Sequence, residues 1–362
     1  MKFGIFDQVD DSGLPLAEHL EARLQMVEAY EAAGFHGYHV AEHHGTPLGH
    51  APSPSVYLAA LSQRTRRIRF GPLVFLLPLY HPLRLVEEIA MLDALSGGRF
   101  EFGYGRGISP IEMGFYGVDM AEQAERAAET LEVVLKGLAS DRLNHHGRFF
   151  QFDNVPVPQR PTQMPRPPLW YGTNAAGSIE RCARDRLNLV TLLAGEPMRA
   201  LVTGYRAAYA ASGGTDEDMP LIGVGRHIVV ADSDAEARAI ATRGFARWRA
   251  SFVHLWEARG GDNPFIKSFP RDWAAAEANG AACAGSPATV RDFLQADVAF
   301  GNYTYSVVQL AFGDLTVAEV SRSAKLFGAE VMPAFAPVSE PAPAPAPEAP
   351  PEPAPISAFA AH

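Results

Sequence analysis

One stretch of the chain, residues 95–107, reads LSGGRFEFGYGRG and guides the interpretation of the remainder. It follows a helical pattern at 83–95, turns at Ser96-Gly97-Gly98, and then alternates as a strand over residues 99–104. Arg106 lies between two glycines at the end of that strand, where a guanidinium and an open backbone can bind a phosphate. Because such arginines are also common in exposed loops, the interpretation depends on the rest of the chain.

The same alternation of strand and helix extends outward from this stretch in both directions. Leu20, Leu24 and Val27 recur at helical spacing, for example, and Gly34 follows as a C-cap. Eight strands are predicted, at about 2–6, 37–41, 68–75, 99–104, 168–171, 187–193, 221–231 and 303–309. Parallel neighbours need crossover connections, and closure removes the sheet edges. The pattern therefore predicts the α/β class and a (β/α)8 TIM barrel, with a doubly wound open sheet as the alternative.

Two regions depart from this alternation, although residues 1–332 are predicted to form one barrel domain. Residues 232–285 are too long for a plain connection, so they are predicted to be an insertion after strand 7. The insertion either covers the active site and selects the substrate or only packs against the barrel. Residues 333–362 are rich in Pro, Ala and Glu, which predicts an extended, disordered tail.

Composition excludes several classes of function. The 362 residues are 47% hydrophobic and carry a formal net charge of −10, which argues against a nucleic-acid partner. The longest apolar run, 70–80, is too short to span a membrane, and no signal segment is recognisable, so a cytoplasmic protein is expected. Cys182 and Cys283 form no CxxC pair, which argues against a zinc site or a disulfide framework.

Ionisable side chains follow the second predicted strand, as Glu42-His43-His44. Strand ends of one barrel point into one cleft, so these residues are expected to lie near Arg106. His43 is the catalytic candidate, because an imidazole exchanges protons near neutral pH. A metal site formed with His50 is also conceivable, but the spacing lacks the helical i, i+4 pattern, and no metal site is predicted.

Several ordered motifs carry a resemblance to a known family. They are residues 1–6 (MKFGIF), 37–44 (GYHVAEHH), 68–78 (IRFGPLVFLLP), 80–82 (YHP), 92–93 (LD) and 95–107 itself. In these residues the chain resembles the bacterial luciferase-like family of flavin-dependent monooxygenases, from the opening strand to about Gly328. The resemblance implies the TIM barrel fold and a flavin site at the C-terminal ends of the strands.

The resemblance also assigns expected roles to individual residues. It places His43 beside the flavin and makes Arg106 a ligand of the flavin phosphate. Leu73 and Val74 match a position where a non-proline cis peptide supports the flavin ring. Gly105 stands where luciferases proper have a cysteine near the reactive edge of the ring, so light emission is not expected.

The segment after strand five is the expected companion of Arg106 at the phosphate. Amides at the start of a helix and the Ser178 hydroxyl suit an anionic group. Ordinary helix capping by Asn174 or Ser178 would explain the same residues. The cofactor-binding residues expected from this segment are Gly172, Asn174, Ala175 and Ser178.

The activity implied by the resemblance is that of an FMN-dependent monooxygenase. A separate flavin reductase would supply reduced FMN, which reacts with O2 to give a flavin hydroperoxide that oxidises a small organic substrate. Two alternatives remain open: hydride transfer with a deazaflavin, and a flavin-binding partner subunit without turnover. The family also implies a homodimer, formed through helices near 54–63 and 83–95.

Overall fold

The computed structural model describes residues 1–260, 266–267 and 269–335. Beyond Phe335, the tail predicted at 333–362 lies outside the described residues. The strands are β1 Lys2–Asp7, β2 Gly37–Val40, β3 Arg69–Pro72, β4 Phe75–Leu76, β5 Phe102–Gly105, β6 Arg142–His146, β7 Gln151–Pro156, β8 Leu169–Gly172, β9 Asn188–Thr191, β10 Ile222–Val230, β11 Ala282–Gly285 and β12 Tyr305–Gln309.

Helices occupy most of the intervals between the barrel strands. The α-helices are α1 Leu16–Ala33, α2 Pro54–Arg64, α3 Pro82–Leu95, α4 Pro110–Phe115, α5 Gln123–Ala139, α6 Ile179–Arg184, α7 Gly195–Ala211, α8 Asp234–Arg259, α9 Trp273–Ala278, α10 Pro287–Gly301 and α11 Val317–Leu326. Short 3-10 turns lie at Leu77–Leu79, Ala176–Ser178 and Met332–Phe335, and a π-helical turn lies at Phe327–Val331. Within the described ranges, no helix is both long and apolar enough to cross a membrane.

The parallel strands close into a barrel. Neighbouring strands follow the order β3-β2-β1-β12-β10-β9-β8-β5-β4. The two ends of this path, β3 and β4, are halves of one strand at 69–76, so the sheet returns to its own start. A parallel bridge between Phe70 of β3 and Phe100, which lies just before β5, completes the closure. The predicted TIM barrel is confirmed, and the open sheet is wrong.

A compact apolar cluster fills the inside of the barrel. Its members come from six different strands or strand ends and leave the barrel packed rather than hollow. They are Phe6, Ala41, Leu73, Trp170, Val190, Tyr305 and Val307, with Val74 and Leu221 packed against them. A larger second core lies outside, between the strands and the helices.

Helix ends follow from the local sequence. Thr316 and Glu319 form a reciprocal capping box at the start of α11, and Ser286 caps α10 in front of Pro287. At the C-terminus of α1, Gly34 adopts a left-handed φ of 91°, as the sequence predicts for that position. These caps fix where each crossover returns to the barrel.

The structure adds elements that sequence analysis did not predict. β6 and β7 form an antiparallel hairpin between α5 and β8. Strand β11 lies inside the segment 232–285 and pairs in parallel with the second half of β10. The third predicted strand is interrupted at Leu73–Val74, where the peptide bond is cis.

Candidate functional site

The C-terminal ends of three strands meet at Val74. A Cβ built on Gly105 would lie 2.6 Å from Val74 Cγ2, and one built on Gly172 would lie 3.7 Å from Val74 Cγ1. Since a side chain at Gly105 would overlap Val74, glycine is what allows these strand ends to approach so closely. The Leu73–Val74 peptide is cis, as the family resemblance implies. Leu73 itself is buried in the interior cluster directly below.

Glu42 and His44 form a buried network that ties β2 to the end of the third barrel strand. Glu42 Oε2 accepts from the Leu76 amide at 3.0 Å and from the Tyr80 hydroxyl at 2.9 Å. Its other oxygen, Oε1, accepts from His44 Nε2 at 2.8 Å, while Tyr116 donates its hydroxyl to His44 Nδ1 at 2.8 Å. Burial raises the pKa of Glu42, and the surrounding donors only partly offset this effect.

His43 is partly open to the cleft and is held by Glu112. Its side chain is 23% exposed, and its Nδ1 lies 3.2 Å from Glu112 Oε1. The same carboxylate oxygen accepts from the His44 amide at 2.8 Å. Burial opposes ionisation of Glu112, but the contacts from His43 and the His44 amide hold the pKa of Glu112 below its usual value. An ionised Glu112 therefore fixes the Nδ1–H tautomer of His43 and leaves Nε2 for the cleft.

Arg106 extends into solvent just after β5. Its side chain is exposed at the mouth of the barrel, and its guanidinium makes no hydrogen bond or ion pair with any residue that the structure describes. Its backbone is fixed, because Gln123 Nε2 donates to the carbonyl oxygens of Arg106 and Gly107 at 2.8 and 3.0 Å. Because the backbone of Arg106 is held in place and its guanidinium is unpaired, this side chain can bind an anion.

The segment after β8 forms an exposed turn. Gly172, Asn174 and Ala175 are all exposed, and a 3-10 turn over Ala176–Ser178 leads into α6. The Ser178 hydroxyl donates to Thr173 Oγ1 and to the Ala175 carbonyl, both at 3.0 Å. Ser178 makes no capping contact with α6, so the capping alternative is wrong for this residue.

Asn174 has a different role from either of the two expected ones. Its Oδ1 accepts from the Thr191 hydroxyl at 2.9 Å and from the Leu192 amide at 3.0 Å. The side chain therefore braces the end of β9 and is not a cap of the turn. Gly172 and Gly105 both lie beside Val74, whereas the Asn174 side-chain oxygen points toward β9.

Sequence reasoning missed the partners that orient the histidines. Glu112 and Tyr116 come from α4 and the residue after it, and Tyr80 precedes α3. The pair Ser109-Pro110 does indicate the start of α4, where Ser109 caps the helix by accepting from the Glu112 amide. Nothing in the sequence indicates that this turn folds back over His43. In the described ranges, no group of three or more potential ligands is arranged to hold a metal ion.

The sequence of this chain is similar to that of known proteins. The family model for luciferase-like monooxygenases matches residues 1–301. The chain belongs to this family. It is 36% identical to protein y4wF of Sinorhizobium fredii, over 92% of this chain and 96% of that one. It is 27% identical to the oxygenase component of the flavin-dependent trigonelline monooxygenase of Acinetobacter baylyi, over 67% of this chain and 68% of the relative.

Solved structures show the same barrel. The monooxygenase RslO1 of Streptomyces bottropensis superposes with a TM-score of 0.82 at 27% identity. The alignment covers 93% of this chain and 100% of RslO1. The oxygenating constituent of 3,6-diketocamphane monooxygenase of Pseudomonas putida, solved with FMN, gives a TM-score of 0.76 at 19% identity, over 92% and 98% of the two chains. At that identity the second likeness shows the fold alone. This luciferase-like monooxygenase is thus a flavin-dependent oxidoreductase on a TIM barrel.

Proposed function

We propose that this luciferase-like monooxygenase is the oxygenase component of a two-component system. It would bind reduced FMN supplied by a separate flavin reductase and use O2 to oxidise a small organic substrate. One observation supports the proposal: His43, Val74, Gly105 and Arg106 lie at or just after the C-terminal ends of three neighbouring parallel strands, and the Arg106 guanidinium has no partner among the described residues. The oxygenase component among its relatives supports the two-component reading.

Arg106 is proposed to bind the FMN phosphate together with the turn after β8. The unpaired guanidinium supplies charge, and the first amides of a helical turn have no intrahelical acceptor. Ala175 and Ser178 bound this turn, and the Ser178 hydroxyl can turn from its local acceptors toward a phosphate oxygen. Asn174 would contribute indirectly, because it fixes the turn against β9.

Leu73, Val74, Gly105 and Gly172 are proposed to form the seat of the flavin ring. Their strand ends provide an apolar surface with a floor made by the interior cluster, and glycine leaves space on either side of Val74. When bound, the flavin supplies the activation of molecular oxygen. The contribution of these side chains is to hold the ring flat and to keep water away from it.

His43 is proposed to move the proton that the reaction requires. Glu112 accepts from Nδ1–H, which leaves Nε2 of His43 facing the cleft to take up or release a proton. The negative charge of Glu112 stabilises the imidazolium that forms in this step. The adjoining Glu42–His44–Tyr116 network holds the backbone that carries His43.

The experiment is an anaerobic titration with reduced FMN followed by addition of O2. We expect saturable binding, and O2 uptake that becomes coupled to oxidation of a compound in a panel of neutral organic substrates. Arg106→Ala should weaken FMN binding about tenfold or more, whereas Arg291→Ala, at a partly exposed arginine on α10, should not. Failure to bind reduced FMN would contradict the proposal. Reduction of a deazaflavin without O2 uptake would favour the hydride-transfer alternative.

We also propose a homodimer formed through α2 and α3. Large apolar side chains on these two helices remain exposed, with Val56 at 72%, Met91 at 56% and Leu95 at 50%. Since α2 and α3 pack side by side, these residues share one surface that a second copy would cover. Sedimentation equilibrium tests this, and a purely monomeric protein at micromolar concentration would contradict it.

A further inference from the structure

The Tyr116 side chain begins a chain of three groups that leads from the surface to a buried carboxylate. Its hydroxyl donates to His44 Nδ1 at 2.8 Å, and His44 Nε2 donates to Glu42 Oε1 at 2.8 Å. The Tyr116 and His44 rings also meet edge to face, with their centroids 4.8 Å apart. A hydroxyl, a base within hydrogen-bond reach and a third group that orients the base are the arrangement that activates a nucleophile in covalent catalysis.

The buried end of this chain fixes the tautomer of His44. The Glu42 side chain is only 1% exposed, and its other oxygen accepts from the Leu76 amide and the Tyr80 hydroxyl. An ionised carboxylate can only accept, so the His44 proton is on Nε2 and a lone pair on Nδ1 faces Tyr116. The negative charge of Glu42 also stabilises the imidazolium that forms when Nδ1 takes up a proton.

The Tyr116 hydroxyl needs such a base. Partial burial and the negative charges of Glu42 and Glu112 raise the pKa of Tyr116, so the phenol does not ionise unaided near neutral pH. A neutral phenol is a weak nucleophile until a base removes its proton. His44 Nδ1 is the base in contact with it.

Tyr116 is also the accessible tyrosine of this chain. Its side chain is 54% exposed. Of the eleven tyrosines, all of which belong to the described residues, Tyr80 and Tyr171 are partly buried and the other eight are buried. Tyr305 also contacts a histidine, His39, but both lie inside the barrel. A hydroxyl that is both paired with an imidazole and open to a substrate therefore occurs at Tyr116.

Apolar side chains are exposed on the same segment, residues 108–120. Ile108, Phe115 and Met120 are 66%, 44% and 42% exposed. Phe115 lies against the residue that follows His44, because a Cβ on Gly45 would be 2.7 Å from Phe115 Cε2. Exposed apolar surface of this kind marks a contact site, and here it lies beside a polar, activated hydroxyl.

We propose that Tyr116 is a nucleophile that accepts an apolar acyl group from an activated ester or thioester. The Tyr116 oxygen forms a bond to the acyl carbon while its proton passes to His44 Nδ1. The bond from the acyl carbon to the leaving oxygen or sulfur then breaks, and the leaving group takes the proton from His44. Water hydrolyses the tyrosine ester by the same route, with His44 removing a proton from water and returning it to the Tyr116 oxygen. The reaction needs no flavin, so the inference does not rest on the proposed function.

The test uses the full chain without flavin and 4-nitrophenyl hexanoate as the acyl donor at about pH 8. Acid quenching within the first turnover, followed by mass spectrometry of peptides, should find the hexanoyl group on Tyr116. We expect its rate constant to exceed that of N-acetyltyrosine amide about 100-fold, as general-base assistance provides. Tyr171, which is partly buried beneath the Arg181 guanidinium, is the internal reference and should stay unmodified. Acylation of Tyr116 no faster than that of the amide would overturn the inference without any variant.

A shorter donor tests the apolar acyl group. 4-Nitrophenyl acetate should react about tenfold more slowly than the hexanoate, because the added methylene groups are partly removed from water on the apolar surface. Equal rate constants for the two esters, each corrected for its reaction with the amide, would contradict the role of the surface around Phe115.

Two substitutions locate the effect. Tyr116→Phe should abolish the fast release of 4-nitrophenolate. Glu42→Gln keeps the shape and an acceptor oxygen but removes the charge, and it should slow acylation about 10- to 100-fold. Glu217→Gln, at an exposed loop position after α7, should leave the rate unchanged. Fast release that survives in Tyr116→Phe would overturn the assignment, whereas FMN titration of the same samples reports on the flavin site alone.

Discussion

A single carboxylate, Glu112, connects the two halves of the proposed site. It belongs to helix α4, which follows Arg106, and it accepts hydrogen bonds from both the His43 imidazole and the His44 amide. Glu112→Gln keeps the shape and one acceptor oxygen but removes the charge that stabilises a protonated His43. We expect kcat to fall about 10- to 100-fold while the affinity for FMN changes less than about twofold. Steady-state kinetics and FMN titration measure the two quantities.

The control for this substitution is Glu217→Gln, at an exposed loop position after α7. It should leave both quantities unchanged. A Glu112→Gln enzyme with full kcat would show that His43 needs no ionised partner. An equal loss of FMN affinity and kcat would instead point to a collapsed turn after Arg106.

Glycines set the distance between the third and fourth barrel strands. A Cβ on Gly71 would lie 2.0 Å from the Glu101 carbonyl oxygen, and a Cβ on Gly103 would lie 2.0 Å from the Pro72 carbonyl oxygen. Backbone cannot yield as a flexible side chain does, so Gly103→Ala should separate the strands. We expect a loss of about 1–3 kcal/mol in the free energy of unfolding, measured by urea denaturation.

Gly114→Ala serves as the matched substitution, because a Cβ there meets nothing within 4 Å and the residue lies in helix α4. It should be neutral or slightly stabilising. If Gly103→Ala unfolds at the same urea concentration as Gly114→Ala, the close strand contact does not limit stability. The same Gly103→Ala protein should bind FMN more weakly, since Gly105 and Val74 follow directly along these two strands.

The positions of strands and helices could be predicted from the sequence wherever the two alternate with clear periodicity. The hairpin β6–β7 was missed because its strands are short, mostly exposed and rich in polar residues. Strand β11, with the sequence ACAG, lacks the β-branched residues that usually indicate a strand. Of the site, the strand-end positions of His43, Gly105 and Arg106 could be predicted. The Glu112 contact could not, because it depends on how a turn folds back across 69 residues of chain.

Folding buries several ionisable groups whose pKa values then differ from those in the unfolded chain. Burial lowers the pKa of His19 and His36 to about 4, and that of His39 and His227 to about 3. The unfolded chain binds protons at these histidines below about pH 6.5, and the folded chain does not. Unfolding is therefore favoured as the pH falls from about 6.5 toward 4. Burial raises the pKa of Asp10 to about 7 and also raises the pKa of Glu42, so these carboxyl groups act in the opposite direction.

The net effect follows from these opposing groups. Each buried histidine contributes about 1.4 kcal/mol per pH unit between its two pKa values, and Asp10 offsets somewhat more than one histidine between pH 7.5 and 5.5. We expect the free energy of unfolding to be about 3 kcal/mol lower at pH 5.5 than at pH 7.5, measured by urea denaturation. His39→Gln removes a buried titrating group whose imidazole contacts Tyr305 and Trp170 in the barrel interior. That variant should lose about 1 kcal/mol of the pH dependence, and an unchanged dependence would mean that the buried imidazoles do not govern acid stability.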